Sequence, residues 1–98
     1  MIWIKVYTTQ GEILLAACDE KVLGKTFEEG ELQIEVSQSF YGGDKVTSDD
    51  FKKQLKAATI ANLVGMEVIK IALELGMVNE ESVIEIQGVP HAQIARMI

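Results

Sequence analysis

From Ser48 to Leu75 the chain is apolar around most of a helical circumference. Stepped at about 100° per residue, Phe51, Leu55, Ala58, Asn62, Met66, Ile69 and Leu73 fall on one stripe. Ile60, Val64, Val68, Ile71 and Leu75 fall on a second stripe, nearly opposite. Small residues, Ala57, Ala61, Gly65 and Ala72, run between them, and only a narrow wedge of Lys52, Lys56, Glu67, Lys70 and Glu74 is charged. This spacing predicts one long helix. It starts at Thr47 or Ser48, carries Asp49 and Asp50 at its positive end, and stops at Gly76. One sheet face cannot cover both stripes, so loops, a kink or a second copy of the chain must cover the rest. Gly65 costs about 1 kcal/mol against alanine inside a helix, so close packing or a kink is expected there.

The remainder has the two-residue period of strands. Ile2, Ile4 and Val6 alternate with Trp3, Lys5 and Tyr7, and Gly11 supplies the positive φ of a tight turn into "EILLAAC". That second strand is apolar on both faces and belongs in the sheet interior. Asp19 as N-cap and Gly24 as terminator bracket a short helical turn. Gly30 then makes a turn into a strand with Leu32, Ile34 and Val36 inward. Val83 to Gln87 and "AQIARM" are two closing strands, with Gly88 and Pro90 shaping their joint. The expectation is a single α+β domain over residues 1–98: a mainly antiparallel sheet, in the order β-β-short α-β-α-β-β, around one long, mostly buried helix.

Composition narrows function by exclusion. Of the 98 residues 48% are hydrophobic, enough for a core without staples. One Cys and one His complete neither a disulfide nor a four-ligand zinc site, so no metal and no cofactor is expected. With neither a leader pattern nor a membrane-length apolar run, a cytoplasmic protein is expected. The net charge of −6 argues against a broad nucleic-acid footprint, though not against a local basic patch.

Four stretches, "AACDEKVLGKTF", "SQSFYGG", "ATIANLVG" and "GVPHAQ", in this order and at this spacing, resemble the archaeal family described as domain of unknown function 424. The resemblance covers essentially the whole chain. It implies an archaeal cytoplasmic protein without an agreed activity, with a link to translation or RNA sometimes suggested.

The candidate sites follow from these stretches. In "SFYGG", Tyr41 can offer a flat face and the Gly42/Gly43 backbone can approach a phosphate; the alternative is a turn in which Phe40 plugs the core. His91 is the single histidine, the residue type suited to acid–base work. An enzyme would use it with Cys18 or Asp19, although nothing in the sequence brings them together. Asn62, on the Phe51 stripe, is expected to anchor a loop through its amide, with Gly65 and Pro90 as further structural anchors. Lys45, Lys52, Lys53 and Lys56 form the basic cluster. The leading reading is a non-enzymatic binding module using Tyr41, Gly42, Gly43, Lys45, Lys52, Lys56, His91 and Gln93, with structured RNA or a translation-associated protein as partner. The alternatives are the small enzyme and a homodimer that absorbs the helix's surplus apolar surface.

Overall fold

A computed structural model describes residues 1–96. Eight strands and three helices follow one another as β1 (Ile2–Thr9), β2 (Glu12–Asp19), β3 (Thr26–Glu29), β4 (Leu32–Glu35), α1 (Gln38–Tyr41), β5 (Asp44–Val46), α2 (Ser48–Ala57), β6 (Ile60–Val64), α3 (Met66–Glu74), β7 (Ile84–Ile86) and β8 (Val89–Ala95). The α+β class and the mostly antiparallel sheet are as the sequence predicts. Six strands form the main sheet in the order β5-β1-β2-β6-β8-β7, and β3 and β4 form a separate hairpin. Only the β2–β6 pair is parallel.

The single long helix is corrected. Its middle, Ile60–Val64, is a central strand between β2 and β8. Helix α2 starts where its signals place it, with the Thr47 hydroxyl accepting from the Asp50 amide. It stops at Ala57, and Arg96 donates from Nη2 to the Lys56 and Ala58 carbonyls, satisfying groups that a helix end leaves open. Thr59 then fixes the chain in extended form. Its amide donates to the Ile13 carbonyl at 2.8 Å. Its hydroxyl donates to Glu12 Oε2 at 2.6 Å and accepts from the Ile13 amide at 2.9 Å. Beyond it, β-branched Ile60 and Val64 fit a pleated surface well.

The strand disposes of the apolar surplus. Ala61 and Leu63 face the α2/α3 side, where they join Ile2, Ile4, Leu15, Phe51, Leu55, Val68 and Ile69 in the larger core. Val64 faces the other side, with Ala16, Cys18, Val36 and Tyr41 in a smaller one. On that second side only Val64 is fully covered, and Ile60 and Asn62 stay half-buried.

Three smaller corrections follow. The hairpin contains a strand, β3, where no strand is expected, and Leu32 is 47% exposed, not inward. Asp19 stands before a 3-10 turn, Glu20–Val22, but its side chain does not cap that turn. The final predicted strand starts earlier, at Val89, and is followed to Ala95; its Met97 lies outside the described residues.

Candidate functional site: the open corner of the sheet

Strand register sorts the side of the sheet opposite α2 and α3 into three rows. The first runs Lys45, Trp3, Cys18, Val64, His91, Ile84; the second Lys5, Ala16, Asn62, Gln93; the third Tyr7, Leu14, Ile60, Ala95. Helix α1 and the β3–β4 hairpin cover the centre of the first row and Ala16. They leave a corner in which Leu14, Ile60 and Asn62 are half-buried and Gln93 and Ala95 exposed.

The "SFYGG" stretch is a plug beside this corner. Ser37 accepts from the Phe40 amide and starts one helical turn. The expected roles of its rings are reversed: Tyr41 is 5% exposed, in the smaller core, while Phe40 is half-buried. Burial, with a smaller contribution from Cys18, pushes the Tyr41 phenol up to about 12. Phe40 stacks on Tyr7, with centroids 5.3 Å apart, and the Tyr7 hydroxyl donates to the Phe40 carbonyl at 2.9 Å. The glycines serve close packing. A Cβ on Gly42 would stand 2.6 Å from the Gln38 carbonyl oxygen, and one on Gly43 would stand 2.5 Å from that of Ile4. Both amides are already donated, that of Gly42 to the Gln38 carbonyl at 2.8 Å and that of Gly43 to the Tyr41 carbonyl at 3.0 Å, so neither is free to hold a phosphate.

Asn62 is corrected as well. It lies on β6, directly opposite Gln93, and among the described residues its amide has no hydrogen-bond partner. It anchors no loop. His91 Nδ1 lies 2.9 Å from the Leu63 carbonyl oxygen, so that nitrogen carries the proton and donates. His91 and Gln93 line a shallow depression of about 220 Å³ with Ser82 and Ile84.

The basic cluster is divided. Lys45 stands at the β5 edge of this face, over the Trp3 ring at 5.5 Å and 3.1 Å from Glu20 Oε2. The Lys45 ammonium lowers the Glu20 carboxyl's pKa below its usual value. Lys5 donates to the Ser39 carbonyl and lies 5.6 Å from the Tyr7 ring centre. Lys52, Lys53 and Lys56 are on α2, across the sheet, and do not join His91 and Gln93.

Cys18 and His91 are not brought together. Both face Val64, from opposite sides, so two strand spacings, roughly 10 Å, separate their strands. Burial, and secondarily the Asp19 carboxylate, push the Cys18 thiol up to about 12. Asp19 is on the helix side, where its carboxylate accepts from the Glu67 and Val68 amides at 2.9 and 3.0 Å. Gly65 makes room for that carboxylate at φ 123°; a Cβ there would overlap it. Gly65 also donates its amide to the Pro90 carbonyl at 2.9 Å, joining two expected anchors. Asp19, Gly65 and Gly88 border a second cleft of about 440 Å³. Sequence reasoning missed Lys5, Tyr7, Leu14 and Ile60 as members of the open face. The alternation along β1 was the available signal for the first two.

Fold and site together define a small α+β protein with a sheet clad by two helices on one side and partly bare on the other. The family described as "Protein of unknown function (DUF424)" matches residues 7–97, and the chain belongs to it. Its fold is similar to that in the "Crystal structure of an uncharacterized conserved protein from Methanopyrus kandleri", at 24% identity and a TM-score of 0.79, over 99% of this chain and 95% of that one. No curated protein matches. Among the described residues no helix is long and apolar enough to cross a membrane.

Proposed function

We propose that this protein is a non-enzymatic binding module that takes a short single-stranded RNA segment on the open corner of its sheet. The observation that carries the reading is the half-buried Asn62 amide, without a protein partner among the described residues, beside Gln93 and next to Leu14 and Ile60 on the same face. Two amides offer the paired donors and acceptors that base edges require. The apolar floor gives a flat ring a place to lie, and the Tyr7/Phe40 stack borders it. Lys5 and Lys45 supply cationic charge along the same face. With a net charge of −6, recognition rests on bases and not on a long phosphate track. A cytoplasmic, translation-associated setting goes with this proposal. Two observations disfavour the enzyme reading: the Cys18 thiol is buried and two strands away from His91, and Asp19 is on the opposite side of the sheet from His91, accepting from the Glu67 and Val68 amides.

The test is fluorescence anisotropy with short labelled oligomers of A, C, G and U at low salt, with the DNA equivalents as controls. At least one RNA binds, and replacing Asn62 and Gln93 together by Ala weakens it about tenfold, the loss expected for one good base contact. Absence of binding by every oligomer, or equal affinity in the double variant, would remove the reading.

A further inference from the structure

The helix side of the molecule carries a separate feature. A groove of about 460 Å³ runs between α3 and the β7–β8 edge. Its floor is Met66, Ile69, Leu73, Val83 and Pro90. Met66 is 71% exposed, so the groove leaves a large, flexible apolar side chain in water at its mouth. The charged rim is Glu74, Glu80 and Glu85 against Lys70 alone. Among the described residues the ion pairs involve only Glu20, Lys45 and the N-terminal amine, so none of these three carboxylates has a cationic partner.

We propose that this groove docks a basic amphipathic segment of a partner protein, with its apolar side chains on the Met66–Leu73 floor and its Lys or Arg side chains against the glutamates. Charge complementarity selects this occupant. The rim carboxylates repel nucleic acid and anionic lipid. Helix α2, which carries Lys52, Lys53 and Lys56, is not such a segment in a second copy of this chain: it buries Phe51 and Leu55 and presents no large exposed apolar residue. An apolar floor with a charged rim is also how a helix-in-groove interaction divides affinity from specificity. The groove is on the opposite side of the sheet from the open corner, so this proposal and the RNA reading stand or fall separately.

The probe is a short fluorescein-labelled peptide of Leu and Lys in helical amphipathic order, titrated into the intact chain. Amide chemical shifts move in Met66–Glu74 and across residues 83–90. Glu74, Glu80 and Glu85 changed together to Lys weaken binding about tenfold or more, and Met66→Ser weakens it roughly threefold or more. The same peptide with Glu in place of Lys does not bind. All four altered residues are exposed, so the variants retain the fold, which circular dichroism checks. Shifts confined to another surface, unchanged affinity in the charge-reversed variant, equal binding of the acidic peptide, or no binding of the basic one would each overturn the proposal.

Discussion

Replacing Gly65 by Ala strains the junction between β6 and α3 in two ways. Gly65 sits at φ 123° and ψ 156°, a conformation open almost only to glycine. Forcing a side chain into it costs about 1–3 kcal/mol. The new Cβ would also stand 2.5 Å from Asp19 Oδ1, so the carboxylate must leave the Glu67 and Val68 amides. Losing a helix cap costs about 0.5–2 kcal/mol. The sum, roughly 1.5–5 kcal/mol, is a large part of the 5–15 kcal/mol that holds an ordinary domain together. Urea unfolding measures it, and hydrogen exchange of the Glu67 and Val68 amides reports the cap directly. Asp19→Ala alone costs the cap but relieves most of the overlap, since two of the three close atoms belong to its carboxyl group. The double variant is therefore less destabilised than the two single losses added, by on the order of 1 kcal/mol. A Gly65→Ala loss below about 1 kcal/mol with unchanged exchange at Glu67 and Val68 would refute this account of the junction.

Two further outcomes follow from buried groups. Cys18 and Tyr41 have folded pKa values raised to about 12 from 9.0 and 10.0, so the folded chain keeps both protonated where the unfolded chain has begun to ionise. Their stabilisation is complete below about pH 9 and is lost as pH climbs toward 12, at up to about 1.4 kcal/mol per pH unit for each group; urea midpoints between pH 8 and 11 check the sign, and a flat profile contradicts it. Thr59→Val removes the hydroxyl that serves both Glu12 and the Ile13 amide. It is expected to cost about 1–3 kcal/mol, seen as a lower urea midpoint at unchanged slope, and an unshifted midpoint would count against the role given to Thr59.

The family resemblance, the class of fold, the first hairpin and both ends of the predicted helix were legible in the sequence. The interior of that helix was not. A strand apolar on both faces loses its alternation, and in "ATIANLV" each face holds apolar residues, so a helical period fits equally well. The decisive forces are tertiary: Thr59 is bound by Glu12 and Ile13, more than forty positions earlier, and the Ala58 carbonyl is held by Arg96. The local hints were the β-branched Thr59, Ile60 and Val64 and a glycine at position 65, which weakens a helix interior. The reversal of Phe40 and Tyr41 has a similar cause. They are neighbours on one helical turn, and the way that turn faces is set by β1, where Tyr7 holds the Phe40 carbonyl.

The strand correction also changes what the charge of the chain can exclude. In a single rod over residues 48–75 its lysines and the "GVPHAQ" stretch would share a surface, and −6 would weigh against all of it at once. In the fold the sheet divides the charge. Lys5 and Lys45 lie on the face with Asn62, Lys52 and Lys56 lie on the helix side, and three glutamates without a cationic partner among the described residues ring the groove. Exposed charges separated by more than a Debye length, about 8 Å at physiological salt, act almost independently. The net charge therefore disfavours a protein that wraps a long polyanion, but it does not describe either surface. Each surface has its own few side chains, so the RNA and the basic segment proposed for them are tested by separate titrations.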